Sequence, residues 1–382
     1  MNKKTEKISQ IIMVSVFILF IFGFAVWSLL LKDREFSEME NRNLAQFPSF
    51  SWKSLNDGSF TSGLEKYVSD QLPMKDELVT LKTDADRLLM HDLQNGVYFG
   101  KDGYYLQDYK ENSEQVEKNV GYINDFVSFC PDVEIDMMLV PNSISVMSDK
   151  LPASATTQDQ NKTISKVKEK LSDKIRFYCP MDELKKAVSD GTQAYYKTDH
   201  HWTSDGARAA FDGFVKFLGE DELKAQYSCR ELDGFLGTLY SKAPSAFSEK
   251  DVMKLYTDKD CKLSVSYVGK DKQTDTIFDS SFEDKKDKYS TFFGGNFPLI
   301  EIKSSNAQNN KKVLILKDSY ANCAMPYFTS MYSDISMIDL RYYHDATKPT
   351  VSEYVKQNNI DKVILLYNVD FINSDDNFTW LM

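Results

Sequence analysis

Twenty-one consecutive residues, Ile11 to Leu31, carry no charge, and no other feature constrains the chain as strongly. At about 1.5 Å of helical rise per residue, such a run spans a hydrocarbon core of about 30 Å. Lys3, Lys4 and Lys7 precede it, whereas Lys32, Asp33, Arg34 and Glu35 after it nearly balance. The bias of positive charge toward the cytoplasm therefore predicts a cytoplasmic N-terminus and an exported remainder. The run is long for a signal peptide and no small-x-small cleavage pattern follows, so the expectation is an uncleaved anchor. That predicts a single-pass plasma-membrane protein whose main domain is extracytoplasmic.

The rest of the chain reads as a folded globule. A length of 382 residues suggests two or three structural units. Hydrophobic content of 42 % with 13 % aromatics excludes a disordered or fibrous protein. Forty-six Lys and Arg against 57 Asp and Glu leave a net charge of −11, with no basic cluster for phosphates, so no nucleic-acid partner is expected. The five cysteines match no zinc spacing, and isolated buried thiols are the expectation. Cys229 and Cys261 share one segment, which leaves a disulfide between them open.

Organisation follows from periodicity and punctuation. Residues 1–34 form the cytoplasmic tip and anchor, and 35–61 read as a linker. Helical patterns at Ser62–Gln71 and Lys75–His91 are separated by Pro73. Val97–Phe99 and Tyr104–Leu106 flank a Gly-Lys-Asp-Gly hairpin turn, and a helix is predicted over Ser113–Phe129. Ile135–Val140 and Lys174–Tyr178 are strand-like, with helices predicted at Thr156–Leu171 and Ala207–Leu218. Near the C-terminus, Val313–Leu316, Ile335–Ile338 and Val363–Leu366 read as strands around helices Tyr320–Met331 and Val351–Gln357. This alternation predicts an α/β fold with a mainly parallel sheet whose strand C-termini share one edge. Residues 220–302 break the rhythm and read as a β or irregular insertion over that edge. It divides a catalytic domain into 62–219 and 303–382.

Two stretches hold the candidate chemistry. In Thr198-Asp199-His200-His201-Trp202, an extended backbone places Asp199 and His201 on one side and turns His200 away. A carboxylate beside an imidazole is the orienting half of a hydrolytic triad. The second stretch, Val313 to Asn322, is an apolar strand, a tight Asp318-Ser319 turn and a helix start. A serine there lies at the carboxyl edge of a parallel sheet and at a helix N-terminus, which favours an oxyanion. Ser143, also after a strand, is a competing nucleophile without an obvious helix behind it. Oxyanion donors are expected from the backbone N–H of Ser319 or Tyr320, with a side-chain amide from Asn368 or, second, Asn142. Asn296 is a candidate for lining the cleft, and Arg341 for binding an acidic sugar or pairing with Asp339. A metal reading of Asp199, His200, His201 and Asp205 is disfavoured, because adjacent residues in an extended chain diverge.

Together these stretches resemble the SGNH-like O-acetyltransferases of alginate acetylation and, more closely, the DHHW-motif proteins of bacterial envelopes. Asp199-His200-His201-Trp202 reproduces the naming motif, and the Ser follows it in a strand-to-helix turn. Phe36-Ser37-Glu38, Glu40-Asn41-Arg42-Asn43-Leu44 and Ile338-Asp339-Leu340-Arg341-Tyr342-Tyr343 also fit. Two departures stand out: Lys317 where SGNH enzymes usually have Gly, and Tyr104 where alginate acetyltransferases tend to have Trp. The resemblance implies an SGNH-like three-layer α/β/α fold, with Ser319 as nucleophile, His201 as base and Asp199 as its orienter. Trp202 joins the substrate-contact candidates. It further implies O-acetyl transfer to an envelope or secreted polysaccharide, with acetyl supplied through a membrane acyltransferase and no metal or organic cofactor. An acetylesterase or a non-catalytic scaffold subunit of polysaccharide assembly are the alternatives.

Overall fold

The structure, a computed structural model, describes residues 3–344 and 348–382. The chain divides into two compact units, Met1–Leu89 with Pro244–Ala246, and Met90–Ala243 with Phe247–Met382. Met1 and Asn2, at the tip of the expected anchor, lie outside the described residues.

In the first unit the apolar run forms the helix Lys3–Leu30, long and apolar enough over Glu6–Leu30 to cross a membrane. Helices Ser59–Asp70 and Lys75–Leu88 follow. The segment read as a linker is pinned to them. The Arg42 guanidinium donates to both Asp70 carboxylate oxygens at 2.8 and 2.6 Å, and Ala45 N–H donates to the same carboxylate at 2.8 Å. Arg42 first, against the cost of burial, holds Asp70 well below the usual carboxylate range. These bonds tie residues 42–45 to the end of the helix Ser59–Asp70.

The second unit is a mixed α/β fold built on an eight-stranded sheet among the described residues. Its strands are β1 (Glu134–Val140), β2 (Ile175–Tyr178), β3 (Leu263–Tyr267), β4 (Gln273–Thr274), β5 (Leu299–Ser304), β6 (Asn309–Lys317), β7 (Tyr332–Ile338) and β8 (Lys362–Asn368). Their order is β4-β3-β5-β7-β6-β8-β1-β2. The five strands from β7 to β2 run parallel, and β5, β3 and β4 extend the sheet antiparallel. The cause is visible in sequence: β1, β6 and β8 are near-continuous apolar runs, buried on both faces as parallel strands must be.

Helices α1 (Ser113–Phe129), α2 (Gln160–Lys170), α3 (Met181–Ser189), α4 (Ser204–Leu218), α5 (Tyr320–Met331), α6 (Val351–Gln357) and α7 (Val369–Ser374) accompany the sheet. α1 packs with α2 and α7, and α4 packs with α3 and α5. α2 begins four residues later than its pattern suggested, because Asp159 caps it by accepting from Asn161 N–H. α3 was not anticipated.

The insertion departs from expectation. Among its strands, the hairpin of Tyr227–Phe235 with Asp251–Asp258 stands outside the main sheet, whereas β3, β4 and β5 join it. Burial alternates along Asp251–Asp258 and Leu299–Ser304, but the Lys-, Asp- and Ser-rich composition around them concealed these strands. All five cysteines are free thiols. Cys130 and Cys323 are buried as expected, but Cys229 is exposed and does not pair with Cys261.

Candidate active site

Two chain reversals meet at the carboxyl edge of the parallel strands. The first follows β6, where Asp318 closes the turn. Its Oδ1 accepts from Tyr320 N–H at 2.7 Å, and its Oδ2 accepts from both the backbone N–H and Nδ2 of Asn368, each at 2.7 Å. Burial pushes this carboxyl up, against those donors. The turn is thereby locked to the end of β8, and Ser319 sits at the start of α5.

The second reversal is the motif itself. Tyr195 and Trp202 bridge antiparallel, with Thr203 N–H donating to Ala194 O at 2.9 Å, so 197–201 form the tip of a narrow loop. The tip is held by Asp251, which accepts from Lys197 N–H, Thr198 N–H and Thr198 Oγ1. Trp202 Nε1–H donates to Tyr320 O at 2.8 Å, fastening the loop to the first turn of α5.

This brings three side chains into line. His201 Nε2 lies 2.7 Å from Ser319 Oγ, and His201 Nδ1 lies 2.5 Å from Asp199 Oδ1. Asp199 and His201 are buried. The second Asp199 oxygen accepts from Thr238 N–H at 2.7 Å and Thr238 Oγ1 at 3.0 Å. Burial alone would raise the Asp199 carboxyl; the facing imidazoles, His201 first, and the Thr238 donor hold it well below its ordinary range. A carboxylate fixed in its charged form orients the ring and stabilises an imidazolium.

Three supporting residues were not found from sequence. The Tyr289 ring stacks on His201 at 3.7 Å between centroids and 8° between planes, and its hydroxyl donates to Ser319 O at 2.9 Å. Thr238 anchors Asp199. Gly237 lets that happen, since a Cβ there would stand 2.2 Å from Asp199 Cβ. All three lie in the insertion, where the one local signal was the Gly-Thr pair after Phe235-Leu236.

Several expected roles are corrected. Tyr320 N–H is spent on Asp318, so it is not a free donor. The Ser319 N–H takes no hydrogen bond among the described residues and remains the oxyanion candidate at the helix start. Asn368 caps α7 through Oδ1 and gives one Nδ2 proton to Asp318, while the residue lines the cleft beside Ser319, so its second Nδ2 proton keeps it an oxyanion candidate. Asn142 gives its Nδ2 protons to Tyr320 OH and Asn368 Oδ1. Asn296 lies behind the turn, accepting from Lys317 Nζ at 3.1 Å and Asn322 Nδ2 at 3.2 Å. Trp202 is a buried strut and touches no open surface.

The histidine pair also differs from expectation. The loop tip is bent, so His200 does not turn away but lies on His201 with ring centroids 3.8 Å apart. Ligand atoms of Asp199, His200 and His201 fall within 4.8 Å of one another, a spacing an ion could use. Each is already engaged: His201 by Asp199 and Ser319, His200 Nδ1 by Thr238 Oγ1. Asp205 lies with Lys254 and Tyr256 instead.

A cleft of about 300 Å³ opens beside Ser319, lined among others by Asn142, Ser143, His200, Lys242, Arg341 and Asp370. Arg341 does both things weighed for it: it pairs with Asp339 at 2.6 and 2.9 Å and faces the cleft. Ser143 has a short helix, Ser143–Val146, directly behind it after all, but the imidazole Nε2 faces Ser319.

The profile of the family described as DHHW protein matches residues 93–338, spanning this motif loop and the Ser319 turn. The chain belongs to the DHHW family. Its fold resembles that of a DHHW family protein from Eubacterium siraeum, 22 % identical with a TM-score of 0.64, covering 75 % of this chain and 95 % of that one. Bacillus cereus PatB1 is similar at 23 % identity and a TM-score of 0.60, covering 72 % and 97 %. PatB1 has also been solved with a sulfonyl adduct, at 23 % identity and a TM-score of 0.62. The probable alginate O-acetylase AlgJ of Pseudomonas fluorescens is 21 % identical over 225 residues, 55 % of this chain. The chain spans about half, 52 %, of that relative's length.

Proposed function

We propose that this DHHW protein is an SGNH-like O-acetyltransferase, anchored through residues 11–31 with its N-terminus in the cytoplasm, that acetylates an envelope or secreted polysaccharide outside the cell. One observation carries the reading: Ser319 Oγ, His201 and Asp199 form an unbroken hydrogen-bonded line at a helix N-terminus, beside an open polar cleft. The AlgJ similarity supports acetyl transfer as the reaction class. The two groups of packed helices, α1-α2-α7 and α3-α4-α5, support a three-layer arrangement around the sheet. Residues 220–302, which supply Tyr289 and Thr238, act in this reading as a support for the catalytic line and a wall of the cleft.

Ser319 Oγ attacks the acetyl carbonyl carbon while its proton passes to His201 Nε2. The carbonyl oxygen, negative in the tetrahedral intermediate, lies against the free Ser319 N–H and the positive end of α5. His201 returns the proton to the departing group as the bond to it breaks, leaving acetyl-Ser319. A sugar hydroxyl then gives its proton to His201 and attacks the acyl carbon; as the bond to Ser319 Oγ breaks, His201 returns that proton to Oγ and the acetylated sugar leaves. Water in place of the sugar makes the same site an esterase. The donor reaches the site through a membrane acyltransferase partner.

The test uses the full chain in detergent with a chromogenic acetyl ester. Ser319→Ala should lose at least about 10³-fold in turnover while keeping its thermal unfolding midpoint. Equal turnover by both proteins refutes the serine mechanism and favours the scaffold reading. Acid should slow the wild type, because a protonated imidazole cannot accept the serine proton.

A further inference from the structure

The first unit carries aromatic surface that the chemistry does not use. Phe47, Phe50 and Trp52 are exposed by 61, 56 and 79 %. They are nonetheless organised. Phe50 meets Trp52 and Phe60 edge-on, at 5.6 and 5.3 Å between centroids, and Phe47 meets Tyr67 edge-on at 5.3 Å. Phe60 and Tyr67 lie about two turns apart in the helix Ser59–Asp70, so both ring clusters sit along one helix, and exposed apolar surface of this kind marks a face that is covered in use.

Its attachment says what covers it. Helix Lys3–Leu30 ends three residues before Asp33, and Asp33 Oδ1 accepts from Tyr67 OH at 2.9 Å. Arg34 is clamped beside it: its N–H donates to Gln71 Oε1 at 2.9 Å and its guanidinium to Asp76 at 2.9 Å. Gln71 Nε2 ties Arg34 O to Ala45 O at 2.9 and 3.0 Å. Phe47 is therefore two contacts from the point where the anchor leaves the hydrocarbon: its ring lies on Tyr67, and Tyr67 holds Asp33. The headgroup layer of one leaflet is about 5–8 Å deep, and Trp and Tyr concentrate there because their rings are part apolar and part polar. Lys53, next to Trp52, supplies a cation on a stem long enough to reach a lipid phosphate.

We propose that Phe47, Phe50 and Trp52, backed by Phe60, form a membrane-interface foot seated in the headgroup layer of the leaflet from which the anchor emerges. The inference rests on the reading of Ile11–Leu31 as a retained anchor. Lipid is favoured over a protein partner because the bonds at Asp33, Arg34 and Gln71 hold the patch at the membrane exit whether or not a partner is present. The foot would hold the first unit upright on the membrane and limit its sway about the anchor.

The experiment uses the full chain in phosphatidylcholine vesicles, with bromine on the upper acyl chain as a fluorescence quencher. Subtracting the emission of Trp52→Phe from that of the wild type isolates Trp52, and Trp27→Phe isolates Trp27 within the span. Both isolated signals should lose most of their intensity in brominated vesicles relative to unbrominated ones. Quenching of Trp27 with no effect on Trp52 overturns the foot, leaves the anchor intact and points to a protein occupant. Quenching of neither overturns the anchor reading and the foot with it.

Discussion

The central sheet buries one lysine at the end of β6 and one at the start of the neighbouring β8, and their surroundings differ. Lys362 opens β8 among carboxylates: Asp136 at 3.0 Å, Glu134 at 3.4 Å and Glu220 at 3.6 Å, with Arg176 bound to the same Asp136. Lys317 closes β6 among amides, 2.8 Å from Asn322 Oδ1 and 3.1 Å from Asn296 Oδ1, with Asp339 at 3.5 Å. Burial pushes the Lys317 ammonium down, against the attraction of Asp339. Like residue and like burial thus serve two ends. The Lys362 end is a neutralised ion cluster that holds strands together, whereas the Lys317 end stays under-neutralised and lies directly behind the Ser319 turn. One edge thus carries an ion cluster and the other the proposed catalytic line.

Changing each end should separate these roles. The largest effect is expected at the carboxyl edge: Asp199→Asn should lower turnover by about 10⁴-fold, the scale of losing the orienting carboxylate of a triad, with little change in unfolding midpoint. A loss under tenfold would break the functional half of the comparison. At the opposite edge, Lys362→Met should cost about 3 kcal/mol in denaturant unfolding by leaving buried carboxylates short of a partner. Turnover per folded molecule should be unchanged, and a matching loss of turnover would mean the two edges are coupled.

Smaller changes sharpen the contrast. Tyr289→Leu removes the stack on His201 and should cost about tenfold in turnover, whereas Tyr289→Phe, which loses only the hydroxyl bond to Ser319 O, should cost no more than about fivefold. Equal losses would show that the hydroxyl, not the stack, positions the ring. The smallest effect concerns Lys317. Because its folded-state pKa is depressed, the unfolded chain binds that proton more tightly, and stability should rise with pH toward the ordinary lysine value of 10.5. Urea midpoints between roughly pH 8 and pH 10 should show this rise in the wild type and a flatter profile in Lys317→Met. Parallel profiles would place the depressed lysine elsewhere.

The parts of this arrangement legible in sequence were those with local causes. Apolar runs at 313–316 and 363–366 marked buried parallel strands, and Asp318-Ser319 between strand and helix marked the turn. Asp199 and His201 were paired correctly on a wrong premise, since the motif is a loop tip and not an extended strand. Amide direction was not legible. Asn142, Asn296 and Asn368 all stand near the site, but which proton goes where depends on contacts such as Asp318 to Asn368, 50 residues apart. Tyr289 and Thr238 were missed for the same reason: they reach the site from a segment without helical periodicity, and only the fold brings them to His201 and Asp199.

The central claim is that Ser319 carries the acyl group. Peptide mapping by mass spectrometry after brief exposure of the full chain to a slow acetyl ester, or to a sulfonyl fluoride, tests it most directly. The account predicts a single adduct on Ser319, absent from Ser319→Ala and greatly slowed in His201→Ala. An adduct on Ser143 or another residue, with Ser319 unmodified, would contradict it.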